Sequence, residues 1–89
     1  MFRALAIWIV ILNLSSTPLH DAMLVVEYEF IELGDIGIGE SRSVEIECTD
    51  SVRVVFRLGD EWICTDVLPM RDTIEISDMT KTFDLDIIE

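Results

Sequence analysis

Histidine is nearly missing from this chain. Among 89 residues there is one, His20, and none follows it. Ser–His and Cys–His nucleophilic pairs need an imidazole base. Zinc and copper sites draw heavily on the same side chain. A lone histidine near the N-terminus therefore gives no footing for either chemistry. Glutamine is absent throughout, and residues 23–89 also lack alanine and asparagine. Losing alanine removes the best helix former. Basic residues are few, six against 18 acidic ones, for a net charge of −12. Such a field repels phosphate backbones and anionic membrane surfaces, which excludes nucleic acid as a partner. It favours a cationic partner, such as a basic protein, although acidity also serves solubility alone. No apolar run approaches the ~20 residues of a membrane-spanning helix.

What is present begins with a leader-like segment. Met1, Phe2 and Arg3 form a short start with one positive charge. Ala4 to Leu12 is an unbroken apolar run, and Leu14 extends it past Asn13. Small and polar residues follow from Ser15 to Ala22, around Pro18. This is the order of parts in a secretory signal peptide. The expected organisation is a signal peptide over 1–22, cleaved after Ala22 or alternatively after Ser16, and a single domain over 23–89. Secretion to an extracellular or periplasmic compartment follows, with no stable membrane insertion after cleavage. Were residues 1–22 retained, the run 4–14 would instead be a buried strand or helix.

The remaining 67 residues are rich in Ile, Val and Thr, which make up 21 of them. Val26, Tyr28 and Phe30 alternate with Glu27 and Glu29. Val44, Ile46 and Cys48 alternate with Glu45 and Glu47. Val52, Val54, Phe56 and Leu58 alternate with Arg53, Val55 and Arg57. Trp62 and Cys64 follow the turn Gly59-Asp60-Glu61, Ile74 and Ile76 flank Glu75, and Phe83, Leu85 and Ile87 alternate with Asp84 and Asp86. Period two with polar outer positions marks half-buried antiparallel strands. The expected fold is all-β: a small antiparallel sandwich or rolled barrel of six to seven short strands.

Two cysteines in a secreted chain read as one disulfide, Cys48–Cys64. With 15 residues between them, closing that loop would add about 3 kcal/mol in the chain-entropy model. In a flat meander the strands carrying them would lie nearly 10 Å apart, beyond the ~7 Å a bridge tolerates. The bridge therefore calls for two packed sheets or a coiled corner. Leu33 to Ser41, followed by the strand Val44 to Cys48, resembles the opening of certain immunoglobulin-like sandwich domains. That resemblance implies a sandwich, immunoglobulin-like in outline. The order Cys48, Trp62, Cys64 departs from the antibody-type spacing.

Few constellations carry chemistry. Paired carboxylates can hydrolyse glycosides, but only in a cleft that raises one pKa, and a domain this small has little interior for one. Gly34, Gly37 and Gly39 lead into a strand among acids, unlike a phosphate cradle. Aspartates mark most turns, so a calcium-dependent domain is an alternative, although no EF-hand loop is present. Arg53 and Arg57 share a strand face and are expected to pair across strands with Glu45 and Glu47. Tyr28, Arg53, Arg57 and Trp62 are the candidate interface residues, by the usual make-up of binding hot spots. No catalytic, cofactor or metal residue is assigned. The expected function is a non-catalytic binding or interaction module. The alternatives are an inhibitor of a cationic extracellular or periplasmic enzyme, and the calcium-dependent domain.

Overall fold

The computed structural model describes residues 6–27, 29–47 and 50–85. Within them the regular elements are nine strands: β1 Ala6–Asn13, β2 Leu19–Val26, β3 Glu29–Ile36, β4 Ser41–Glu47, β5 Ser51–Leu58, β6 Glu61–Thr65, β7 Leu68–Pro69, β8 Thr73–Ile76 and β9 Thr82–Asp84. They build two sheets that pack as a small β sandwich. One is three-stranded, in the order β4-β1-β8. The other is six-stranded, in the order β3-β2-β5-β6-β9, with β7 also pairing with β5.

The alternation in β5 does what its pattern predicts. Val52, Val54 and Phe56 face inward and are buried. Ile46 meets them from β4, and Ile74 and Ile76 from β8, in one core with Leu19, Leu24 and Ile36. Leu58 pairs with Glu61, so Gly59 and Asp60 close a two-residue hairpin. Gly59 sits at φ 62°, the left-handed conformation such a turn requires. At Val54 the β5–β6 ladder is interrupted. The Val54 amide donates to the Thr65 hydroxyl at 3.0 Å instead of to a backbone carbonyl. From Val52 onward toward its N-terminus, β5 pairs with β7.

The apolar run at the N-terminus is β1, the central strand of the three-stranded sheet. It pairs antiparallel with β4 and parallel with β8, so one pair departs from the expected antiparallel pattern. Ile9 and Ile11 are fully buried. Residues 19–22 of the same leader-like segment lie in β2, where Leu19 and Ala22 join the core.

Asn13 ends β1 and is fully buried. Its amide nitrogen donates to the carbonyls of Thr17 (2.9 Å), Ile36 (3.1 Å) and Gly37 (3.2 Å). Its carbonyl oxygen accepts from the Ser15 amide (2.9 Å) and the Ser15 hydroxyl (2.6 Å). One side chain thus satisfies the backbone where the chain leaves one sheet and where β3 ends in the other. The Asn13 backbone adds two bonds to the turn after β3, accepting from Gly39 and donating to Glu40. In that turn Gly39 takes φ 79°. Arg42 of β4 reaches across to the Asp35 carbonyl of β3.

Two expectations are corrected. Residues 26–31 are not one strand. Val26 pairs with Glu29, and Glu27 takes φ 52°, so the chain reverses there. Phe30 consequently lies opposite Val25 on the outer face, 67% exposed, while Ile31 turns inward opposite Leu24. Phe83 lies opposite Cys64 on the outer face of the edge strand β9, rather than in the core. Residues 86–89, including the expected strand residue Ile87, lie outside the described residues.

Replacing Asn13 by Leu keeps the volume but strands three carbonyls and the Ser15 donors. The expected cost is about 2–3 kcal/mol, read as a lower urea midpoint with an unchanged slope. Asn13→Asp is expected to be at least as damaging, because it removes both donors and introduces a buried charge. A midpoint that does not move for either variant would show the network to be dispensable.

Candidate functional site

The six-stranded sheet has an outer face whose composition departs from the usual polar exterior of an antiparallel sheet. Register places its side chains in three rows. His20, Arg57 and Trp62 lie side by side across β2, β5 and β6. Met23, Val55, Cys64 and Phe83 form the next row, continued to Glu32 on β3. Phe30, Val25 and Arg53 form the third. Phe83 is 48% exposed, and Met23, Val25 and Trp62 are half-buried. Val55 and Cys64 are buried although they point outward, so side chains on this face pack over one another.

Three of the four candidate interface residues, Arg53, Arg57 and Trp62, therefore share this face. Tyr28 lies outside the described residues. The expected pairing of Arg53 and Arg57 with Glu45 and Glu47 is absent, because β4 belongs to the other sheet. Adjacency in sequence suggested adjacent strands, but the β4–β5 connection crosses between layers. Arg57 instead binds Asp21, with Nε 3.0 Å from Oδ2, and donates to the Gly59 carbonyl at 2.7 Å.

Asp21 reaches that position through an irregularity in β2. The register with β3 and β5 shifts around residues 20–23, and Asp21 takes φ 51°. Such bulges re-aim side chains. The Asp21 amide donates to Asp35 Oδ1 at 2.9 Å, and His20 Nδ1 lies 3.7 Å from Asp35 Oδ2. The Asp35 carboxyl is held below its ordinary value, first by the Asp21 amide; desolvation opposes this, and His20 and then Arg57 lower it further. The chain from Asp35 through Asp21 to Arg57 fixes one guanidinium beside Trp62. Sequence reasoning missed His20, Asp21 and Asp35, since a bulge leaves no mark in hydrophobic periodicity.

Cys64 carries a free, buried thiol, 3.3 Å from the Thr65 carbonyl. Cys48, its expected disulfide partner, lies outside the described residues. β4 and β6 do fall in different sheets. Among the described residues no three His, Cys, Asp or Glu side chains are grouped to hold a metal ion. No helix among them is long and apolar enough to cross a membrane. No family model, no curated protein and no solved structure matches the chain.

The Asp35 shift has a defined sign. A depressed carboxylate stabilises the fold above its unfolded pKa, and the contribution is lost as pH falls through the lower folded value. Removing the imidazole with His20→Ala is expected to raise the Asp35 pKa toward the ordinary carboxylate range, as read by NMR titration of its carboxyl carbon. An unmoved titration would mean that the Asp21 amide acts alone.

Proposed function

We propose that this chain is a non-catalytic protein-binding module that engages its partner through the outer face of the six-stranded sheet. The observation that carries the reading is the set of outward apolar and aromatic side chains on β2, β3, β6 and β9, Phe30, Val25, Met23, Trp62 and Phe83, with Arg53 and Arg57 of β5 among them. Contiguous exposed apolar surface marks interaction sites in soluble domains. Aromatic residues and arginine supply most interface hot spots. Arg57 is held by Asp21, so little of its ordering entropy is left to lose on docking. The net charge of −12 would steer a basic partner toward the molecule and speed encounter at low salt. That same charge favours the second reading, an inhibitor of a cationic enzyme. No observation among the described residues favours the calcium-dependent alternative.

Export to an extracellular or periplasmic compartment belongs to this proposal through the leader-like order of residues 1–22. So does the Cys48–Cys64 disulfide, which such a compartment would allow. The same segment also serves as β1 and the start of β2, and one molecule cannot use it both ways. Of the residues of the proposed binding face, only His20 and Asp21 precede Met23.

Intact mass of the protein from its native source, with and without reductant, separates the two uses. A mass for 23–89 that rises by about two hydrogens on reduction supports export and the bridge. A full-length mass with two free thiols assigns residues 6–13 to β1 and removes both. For the binding face, partner affinity is expected to fall about tenfold or more on Trp62→Ser or Phe83→Ser, within the hot-spot range. It should also weaken with rising ionic strength. Undiminished affinity in the Trp62→Ser/Phe83→Ser double variant would move the partner to another surface.

A further inference from the structure

The three-stranded sheet presents a second surface, independent of the proposed binding face. Ile9 and Ile11 of β1 point into the core, so Trp8, Val10 and Leu12 point outward. Trp8 is 64% exposed. β1 is the central strand, and register fixes its neighbours. On β4, Glu47 lies opposite Ala6, Glu45 opposite Trp8 and Ser43 opposite Val10. On β8, Thr73 lies beside Val10 and Glu75 beside Leu12. All five neighbours are exposed. The result is an apolar row down the middle of a sheet, with carboxylates on both flanks and hydroxyls between them. Of the bases near this sheet, Arg71 lies just before β8, and Arg42 of β4, opposite Ile11, is turned to the Asp35 carbonyl.

From Val10 to Leu12 backbone pairing cannot be how this row is used, because both edges of β1 are already hydrogen-bonded there, and along Ala6 to Ile9 the β4 edge is taken as well. An occupant must lie on the side chains. Beside Val10 and Leu12, where β4 and β8 both flank β1, the flanking strands stand roughly 10 Å apart, twice the ordinary interstrand spacing, which is close to the ~10–12 Å width of an α-helix. From Ala6 to Leu12 the row runs about 20 Å, or about 13 residues of helix at 1.5 Å each. Electrostatics selects among helices. An acidic or anionic occupant would set like charges against Glu45, Glu47 and Glu75. A second copy of this chain brings the same net charge of −12, and anionic lipid is repelled likewise.

We propose that the outer face of the three-stranded sheet docks a cationic amphipathic helix of a partner protein, its apolar stripe on Trp8, Val10 and Leu12 and its Lys or Arg side chains on Glu45, Glu47 and Glu75. The site exists in the chain that retains residues 6–13. It is separate from the face built around Trp62.

The test uses the full chain and an amphipathic helical peptide of leucine and lysine, about 18 residues long so that it exceeds the length of the row, with its leucine/glutamate counterpart. Calorimetric titration is expected to show binding of the lysine peptide that weakens with salt, and none of the glutamate peptide. The triple variant E45Q/E47Q/E75Q, and separately Trp8→Ser, should each weaken binding about tenfold or more. A control, E29Q/D60N/E61Q, removes the same charge from exposed positions on and beside the other sheet and should leave the affinity nearly unchanged. NMR shift changes should concentrate at residues 6–12, 43–47 and 73–75. These substitutions fall on exposed positions, and an unchanged thermal melt confirms the fold. Equal losses in both triple variants would reduce the effect to general charge attraction and overturn the site, as would full affinity in Trp8→Ser. Self-association of the wild type that Trp8→Ser abolishes in sedimentation would give the face to a second copy instead.

Discussion

The buried amide of Asn13 is the constraint on which the sandwich depends. A chain that passes between two packed sheets must turn, and a turn inside a core leaves backbone groups without ladder partners. Asn13 supplies donors and an acceptor at one point, where β1 ends, the 14–18 connection begins and β3 finishes. The connection is tied further by Ser16, whose amide and hydroxyl both reach Asp78 on the loop after β8. The end of the sandwich is thus closed by polar side chains rather than by apolar packing. The energetic stake is asymmetric, since a satisfied buried network contributes modestly and a broken one costs its full desolvation.

Much of the fold was legible where alternation coincided with burial. β5 and β8 read correctly because their inward residues are β-branched or aromatic and their outward ones mostly charged. The Gly59-Asp60 hairpin read correctly because its chemistry is local. Legibility failed where two signals overlapped. Val25 and Val26 are adjacent apolar residues, as are Phe30 and Ile31, so either phase of alternation fits and the reversal between them is hidden. The N-terminal run has nearly continuous apolarity, a pattern that reads first as a leader and that a central strand apolar on both faces shares. Such a strand is apolar on both faces here because Trp8, Val10 and Leu12 face outward.

The outward face around Trp62 was partly visible. Arg53 and Arg57 share one strand phase, and the short β5–β6 turn places Trp62 beside Arg57. Phe30 and Phe83 were not, because pattern reading assigns large aromatics to the core by default. Both sheets therefore carry apolar side chains outward, one set among arginines and the other among glutamates. A domain this small has a high ratio of surface to interior, and here much of its apolar surface faces solvent on either side.

The parallel pairing of β1 with β8 has a consequence for synthesis. Val10 to Asn13 align with Thr73 to Ile76, so β1 waits for some sixty further residues to be made before this part of its second edge is covered. Until residue 47 has left the ribosome, β4 is not available to it either. The most apolar stretch of the chain is thus the one that stays naked longest during translation. Pairings of such long sequence separation form slowly, and the interval leaves the apolar side chains of β1 open to other contacts. In this chain, the timing of translation and the speed of sheet closure both bear on β1.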